Sequence, residues 1–292
     1  MKLSDFFDHE SIIRDACFSQ IDEVDTAIQD SFVYCLNTKY LDKAINNPKV
    51  SSILTTSELS YAVVQKGLVV ESDPRVAFFR LYNRLTNDGM NYPIMNYGVG
   101  TNCSIHPSAV LSDKVRIGDN VFIGANTVIE SYTRIGDNTY IGTNVTIGAE
   151  GLITVNDDGT RIFIRHAGGV EIGNQVTILS NAVVAKSLFR SFTTIGDNSQ
   201  IGILSNIGHG ARLGKNCVIA GNCFVAGRTI IEDNVRIGAS SSIAQGLKVG
   251  KNAQIKIGSV VIRDILEKEV VSGNFSIAHA KNMKQYLRTC HE

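Results

Sequence analysis

Residues 195–225 read IGDNSQIGILSNIGHGARLGKNCVIAGNCFV, with an aliphatic residue at every sixth position: Ile195, Ile201, Ile207, Leu213, Ile219 and Val225. The register continues through Ile231, Ile237, Ile243, Val249, Ile255 and Val261. Toward the N-terminus it recurs at Ile172, Ile178 and Val184, and before them from Ile105 and Leu111 through Ile117, Ile123, Ile129, Ile135, Ile141 and Ile147. A period of six fits neither a helix nor an alternating strand. It fits short strands that each turn a corner after about six residues, three corners closing a triangular coil of about 18 residues. The large aliphatic side chain fills the prism. The small or β-branched residue two places earlier, such as Cys103, Ala109, Val115 or Thr127, leaves it room. Gly or Asn after each strand, as in the IGDN of 117–120, 135–138 and 195–198, is expected to supply the positive-φ corner. Such coils wind left-handed, an exception to the right-handed crossover rule. The predicted fold class is mainly β: a left-handed parallel β-helix over residues 101–265.

The register lapses twice. Residues 150–169, EGLITVNDDGTRIFIRHAGG, set the turn NDDG between two apolar runs and predict a projecting hairpin. The second lapse is KSLFRSFT, 186–193. Loops that leave a rigid scaffold are where binding residues gather. Residues 1–100 lack the six-fold period. They mix helical pattern (Leu41 to Ile45, Arg75 to Leu85) with strand-like VSSILTT (50–56) and GLVVES (67–72), which predicts a small α/β domain. Residues 266–292 form a tail, with a short helix expected over IAHAKNMKQYLRTC (277–290).

Basic and acidic residues balance at 28 each, so there is no electrostatic case for nucleic acid or an anionic membrane. The first residues, MKLSDFFDHE, carry acids where a signal peptide needs an apolar run. No apolar stretch approaches the ~20 residues of a membrane span. A cytoplasmic protein is expected. Twenty-six glycines, four prolines and no tryptophan suit a repeat. The six cysteines form no CxxC pair, so no zinc or redox motif is predicted. Cys103, Cys217 and Cys223 occupy the small-residue position and read as packing residues. The histidine spacings suit no metal centre, and none is expected.

Three stretches point further. Tyr34, Asn37 and Tyr40 in YCLNTKY stand at spacings of 0, 3 and 6; the DG-containing hairpin runs into HAGGVEIG (166–173); SNIGHGARLG (205–214) is followed by VIAGNCFVAG (218–227). Over nearly its full length the chain resembles the UDP-3-O-acylglucosamine N-acyltransferases of lipid A synthesis. The resemblance implies a nucleotide-binding N-terminal domain with Tyr34, Asn37 and Tyr40 on the base, a prism interrupted by the hairpin, and a catalytic base at His209. There are departures. Gly202 and Ile203 stand where that family carries an acidic residue and Asn, and VAKS (184–187) replaces IDRG. Gly246 falls near a second family histidine, and the C-terminal carrier-protein region is shorter. These favour a related group, the sugar N-acyltransferases that act on dTDP-linked 3-amino-3,6-dideoxyhexoses with acyl-CoA as cosubstrate. Lipid A N-acylation from an acyl carrier protein, and a non-catalytic binding relative that keeps only the prism, stay open beside it.

The implied reaction has an amine attack a thioester, so a base must take a proton as the C–N bond forms. His209 falls two places after Ile207, at a corner, and is expected to project outward; an imidazole suits the task. The alternative is a surface histidine without a role. About 18 residues on, one coil above, stands Gly227, whose missing side chain would let the thioester reach a backbone N–H as oxyanion donor, unless it is simply a corner glycine. A coil further stands Gln245. With Gly221, Ala226 and Gly246 it is expected to line a groove for the donor's extended arm. Tyr34 and Tyr40 could sandwich a pyrimidine with Asn37 reading its edge, each stack worth roughly 1–3 kcal/mol; otherwise the tyrosines are core residues. Lys248, Lys251 and Lys256 read as a solvated face. His166, on the hairpin, is the reserve base or sugar ligand; His106 reads as structural, and His9, His279 and His291 carry no signal. An exposed His209 would be wet. The expected assembly is therefore a homotrimer in which a neighbour's loop 150–169 walls the site.

Overall fold

Two side chains of each hexad point inward, the aliphatic residue and the one two places before it. Ile123, Ile129, Ile141, Val145 and Ile147 are all fully buried, and with their successors they fill one continuous core. The computed structural model describes residues 1–273 together with Ala280, Lys281 and Met283. The helix expected over 277–290 falls almost wholly outside the described residues.

The hexads pair as parallel strands, each with the strand one coil on: Phe122 lies beside Tyr140 and Ile123 beside Ile141. They stack into the three faces of a left-handed β-helix. The first face runs from Gly98–Val99 to Lys248–Val249, the second from Ser104–Ile105 to Val270–Val271, the third from Val110–Leu111 to Val260–Val261. Pairing thus starts slightly before the expected 101 and ends beyond 265.

The small inward position also does a polar task that pattern alone did not show. Thr127 Oγ1 donates to the Gly142 carbonyl at 2.7 Å, Ser199 Oγ to that of Gly214 at 3.0 Å, and Cys217 Sγ to that of Glu232 at 3.2 Å. Each bond reaches the corner of the next coil and gives one of its carbonyls a partner.

The corners correct the expected division of labour. In IGDN it is the Asn that turns left-handed, with φ of 56, 57 and 58° at Asn120, Asn138 and Asn198. The glycine is needed for close approach: a Cβ on Gly136 would lie 2.6 Å from the carbonyl carbon of Gly173 on the next coil. The Asp binds adjacent coils. Asp137 Oδ1 accepts from Asp119 N at 2.8 Å, and Asp233 Oδ1 from Lys215 N at 2.9 Å.

Residues before the prism form a five-stranded sheet from β1 (Ile12–Arg14), β2 (Gln20–Ile21), β3 (Ser31–Tyr34), β4 (Val50–Thr55) and β5 (Gly67–Val70), in the order β1-β5-β4-β3-β2. Strands β2 to β5 are parallel, and β1 runs antiparallel to β5. The connections carry α1 (Thr38–Asn46) and α2 (Ser57–Ser60); α3 (Pro74–Asn87) follows β5. Asn37 caps α1, accepting from Tyr40 N, and Asp73 caps α3 ahead of Pro74.

The two interruptions fasten this domain to the prism. Val155, Ile164 and Ala167 from the hairpin, and Leu188 and Phe189 from the second loop, share one core with Phe78, Tyr82 and Leu85 of α3. Ala167 N donates to Tyr82 Oη at 3.1 Å, and Asn83 Nδ2 to the Phe163 carbonyl at 2.8 Å. Each loop is therefore as much a buried joint as a binding surface.

Candidate active site

Both interruptions leave the prism from one edge. The hairpin joins Thr146–Ala149 on the third face to Gly169–Ile172 on the first; the second loop joins Val183–Ala185 to Phe192–Ile195. His209 lies in the next such corner, between Asn206–Ile207 and Arg212–Leu213. Stacking of the coils therefore sets hairpin, loop and histidine one above another.

Along this edge the second corner residue is His209, Gly227 and Gln245 in successive coils. None supplies the short carboxylate that ties coils together at the IGDN edge. Among the described residues the Gly227 N–H reaches no acceptor. Gly227 is buried, and a Cβ there would lie 2.4 Å from His209 Nε2. The glycine is needed first to seat the imidazole, where the sequence reading expected it to admit a thioester. The same geometry leaves a free amide beside the ring.

His209 does not project into open solvent as expected. It is half-buried. Gly151 of the hairpin packs so closely that a Cβ on it would lie 3.0 Å from His209 Cδ2. The His166 ring meets it edge-on at 5.3 Å and 74°. Its Nδ1 is buried without a partner. Burial, then the facing His166 and Arg228, lower the His209 pKa from 6.5 to about 4. This chain's own hairpin already walls the ring, because it leaves the same edge two coils earlier.

Behind His209, His166 is 1% exposed. Its Nδ1 lies 3.2 Å from both Glu150 Oε2 and the Ile164 carbonyl, and its backbone N–H donates to Glu150 Oε2 at 2.9 Å. Glu150 also pairs with Lys186 at 3.2 Å. Burial pushes the Glu150 carboxyl up, but the hydrogen bonds from His166 and the Lys186 charge outweigh it and hold it down to about 2.

In front of His209 opens a cleft of about 610 Å³, a size suited to small molecules. One wall is the prism edge, with Gly210, Arg212, Arg228 and Gly246; the second loop adds Phe189 and Phe192. The facing wall comes from the N-terminal domain: the segment after β2, with Glu23, and the β3–α1 junction, with Tyr34, Asn37 and Tyr40. That junction is the carboxyl end of a parallel strand, where open α/β sheets place ligands. Glu23 and Arg228 form an ion pair across the cleft.

The predicted site residues divide as follows. His209, Gly246, Tyr34, Asn37 and Tyr40 line one cleft, and Gly227, Ala226 and Gln245 continue the same edge. Gly221 is a correction: it lies a hexad earlier, at the corner between the second and third faces, packed under Ile203. A groove along the His209 edge does not reach it. Tyr34 serves two settings, since its ring also packs on Phe78 at 4.7 Å; Tyr40 is 41% exposed. Asn37 spends its Oδ1 on the helix cap. Lys248 and Lys251 are paired with Glu232 and Asp233, as a solvated face would be. His106 Nδ1 is bound by Ser108, 2.9 Å from its Oγ. Sequence reasoning missed Glu23, Glu150, Arg212 and Arg228. Arg228 was within reach, because one coil on from Gly210 falls on it; nothing periodic marks the others.

Comparison with known proteins agrees with this frame. The family described as bacterial transferase hexapeptide (six repeats) matches residues 97–131, 114–149 and 192–227, and the hexapeptide repeat of succinyl-transferase matches 228–263. The unmatched gap contains both interruptions. No curated protein sequence matches. Among solved structures, the UDP-N-acetylglucosamine acyltransferase of Bacteroides fragilis 9343 is 24% identical, with 67% of this chain and 75% of that one covered and a TM-score of 0.54; it shows the fold. The enzyme of the same name from Campylobacter jejuni is 28% identical over 59% and 72%, TM-score 0.47. LpxA from Acinetobacter baumannii is 27% identical over 63% and 76%, TM-score 0.45.

Proposed function

The chain carries the hexapeptide repeat of bacterial transferases, and we propose that it is an N-acyltransferase of nucleotide-linked amino sugars. The acyl group comes from the thioester of an acyl-CoA, and the favoured acceptor is a dTDP-linked 3-amino-3,6-dideoxyhexose made for a surface polysaccharide. The enzyme works as a cytoplasmic homotrimer, with no permanently bound cofactor. One observation carries this reading: the cleft that holds His209 also holds Tyr34, Asn37 and Tyr40 of the same chain. A base-stacking pair and a general base in one cavity suit a nucleotide-linked acceptor.

In the proposed reaction the substrate amine attacks the thioester carbonyl while His209 Nε2 takes its proton. With a pKa held near 4, the ring is neutral and ready at physiological pH. The tetrahedral oxyanion accepts a hydrogen bond from the Gly227 N–H, worth about 2.7–4 kcal/mol where such donors have been removed elsewhere. The thiolate then leaves and recovers the proton from the imidazolium. Arg212 makes no ion pair among the described residues and supplies a cation for the nucleotide diphosphate.

The test is a mass-spectrometric assay of purified protein with dTDP- and UDP-linked amino sugars and short acyl-CoAs. An amide product from an acyl-CoA is expected. Turnover with acylated carrier protein alone would overturn the donor, and no product from any pair, with nucleotide binding intact, would leave only a binding protein.

A further inference from the structure

One ion pair in the cleft has no part in the reaction as written above. Four charged side chains line the cavity: Glu23, Asp25, Arg212 and Arg228. Asp25 is held by Lys43 at 2.7 Å. Glu23 pairs with Arg228 across the cleft, from the N-terminal domain to the prism edge. Arg212 makes no ion pair among the described residues. Two guanidinium groups thus face one carboxylate, in the space between the walls that a ligand must enter.

The backbone does not account for the arginine. Arg228 sits in the left-handed region at φ 59°, where the coils on either side carry Gly210 at 67° and Gly246 at 74°. A long side chain is disfavoured there and glycine is not. The corner asks only for the Arg228 N–H, which donates to the His209 carbonyl at 2.8 Å, and glycine would supply that as well. A disfavoured conformation kept beside the proposed base directs attention to the side chain.

That side chain is loosely engaged. The Arg228 and Glu23 side chains are 42% and 27% exposed, and ion pairs that keep such contact with water shift an equilibrium by a few-fold at most. Burial pushes the Glu23 carboxyl up by more than Arg228 pulls it down, and the charges of Asp22 and Asp25 add to the push. A diphosphate offers more negative charge and a fork of oxygens that a guanidinium can meet with two hydrogen bonds. Bonds of that kind are typically worth about tenfold to a hundredfold. The difference in magnitude favours exchange.

We propose that Arg228 is a second diphosphate ligand of the cleft and that Glu23 is its stand-in anion, displaced when the phosphates of the nucleotide bind. The proposal rests on the reading of the cleft as a site for nucleotide-linked substrates. It adds a source of selectivity. A bare phosphate must displace Glu23 unaided, whereas a nucleotide brings the stacking of its base on Tyr34 and Tyr40 as well. The carboxylate therefore works against the wrong anions more than against the right ligand.

The experiment is calorimetry on the full-length protein with three probes: dTDP, thymidine and inorganic pyrophosphate. Glu23→Gln keeps the shape of the side chain and removes its charge. Arg228→Gly installs the residue of the neighbouring coils, so the corner keeps its turn. Relative to wild type, dTDP should bind Glu23→Gln about two- to fivefold tighter and Arg228→Gly about tenfold to a hundredfold weaker. Pyrophosphate should follow the same order, and thymidine, which has no phosphate, should bind all three proteins alike. The opposite signs are decisive, since a tie that merely held the two walls together would weaken binding in both variants. A dTDP affinity lowered or unchanged in Glu23→Gln, or unchanged in Arg228→Gly, would overturn the proposal. Pyrophosphate reports the exchange without base stacking or turnover, so the proposal stands or fails separately from the acyltransferase assignment.

Discussion

The edge between the first and second faces and the edge between the third and first are built by the same repeat and do opposite things. At the former, each coil turns on a left-handed residue, Asn in seven of the nine corners from Asn102 to Lys268. Each Asp or Asn before it ties down the coil below, and nothing is inserted. At the latter, the left-handed positions above the loops are Gly210, Arg228 and Gly246, the tying carboxylates are replaced by His209, Gly227 and Gln245, and both loops emerge. On the regular edge most amides at this corner position are bound by a neighbouring coil's side chain, as at Asp119, Asp137 and Lys215. The edge that leaves an amide free can offer it to a substrate. The proposed activity sits where the repeat stops satisfying itself.

The largest expected effect that could break this comparison is chemical. His209→Asn should lower the rate about 10²–10⁴-fold, while nucleotide binding and oligomer mass by light scattering stay as in the wild type. Near-native turnover at neutral pH would sink the assignment and return the base to His166 or to positioning alone.

Next comes a paired substitution across the two edges. Gly196→Ala places a Cβ 2.6 Å from the Gly214 carbonyl carbon, which is backbone and cannot yield. It should cost about 1–3 kcal/mol in urea unfolding, with activity per folded molecule retained. Gly227→Ala meets the His209 ring instead. There kcat should drop sharply with the smaller loss of stability. Equal behaviour of the two variants would erase the distinction between the edges.

At the nucleotide wall, Tyr40→Ala removes an exposed ring that carries the Lys43 ammonium over its face. A loss of roughly 1–3 kcal/mol in nucleotide binding is expected by calorimetry, with the melting temperature unchanged. Unaltered affinity would mean that the cleft takes its ligand elsewhere.

The smallest effect concerns pH. The His209 pKa is lowered on folding, from 6.5 to about 4. As pH falls through that window the unfolded chain takes up a proton that the folded site refuses, so stability held at neutral pH is progressively lost. Glu150, lowered from 4.5 to about 2, adds a second loss below it. The melting temperature of His209→Asn should therefore fall less than that of the wild type between pH 7 and pH 5. Parallel curves would argue that His209 is more solvated than its contacts indicate.

How much of this was legible depends on distance along the chain. The prism, its inward residues and the placing of Gly227 one coil above His209 could be read by counting, because a solenoid converts sequence separation into spatial contact. Counting also located both lapses. It misplaced Gly221, since a hexad is one face rather than one coil, and it left His209 exposed, because a period says nothing about what a non-periodic loop covers. Glu150 and Glu23 carry no mark in the sequence; each matters only through a partner brought close by folding.

By itself the sequence determined the three-faced prism, since an inward aliphatic every six residues is buried in no other arrangement. It also determined which corner carries the histidine. Only the tertiary structure decided that the hairpin folds back on its own edge, burying His166 against His209, and that the N-terminal domain closes the cleft in front. Those contacts depend on the joint core of Phe78, Tyr82, Leu188, Phe189 and Ile164. Its members are scattered over more than a hundred residues and obey no period, so hydrophobic packing in three dimensions, and not pattern, set the site.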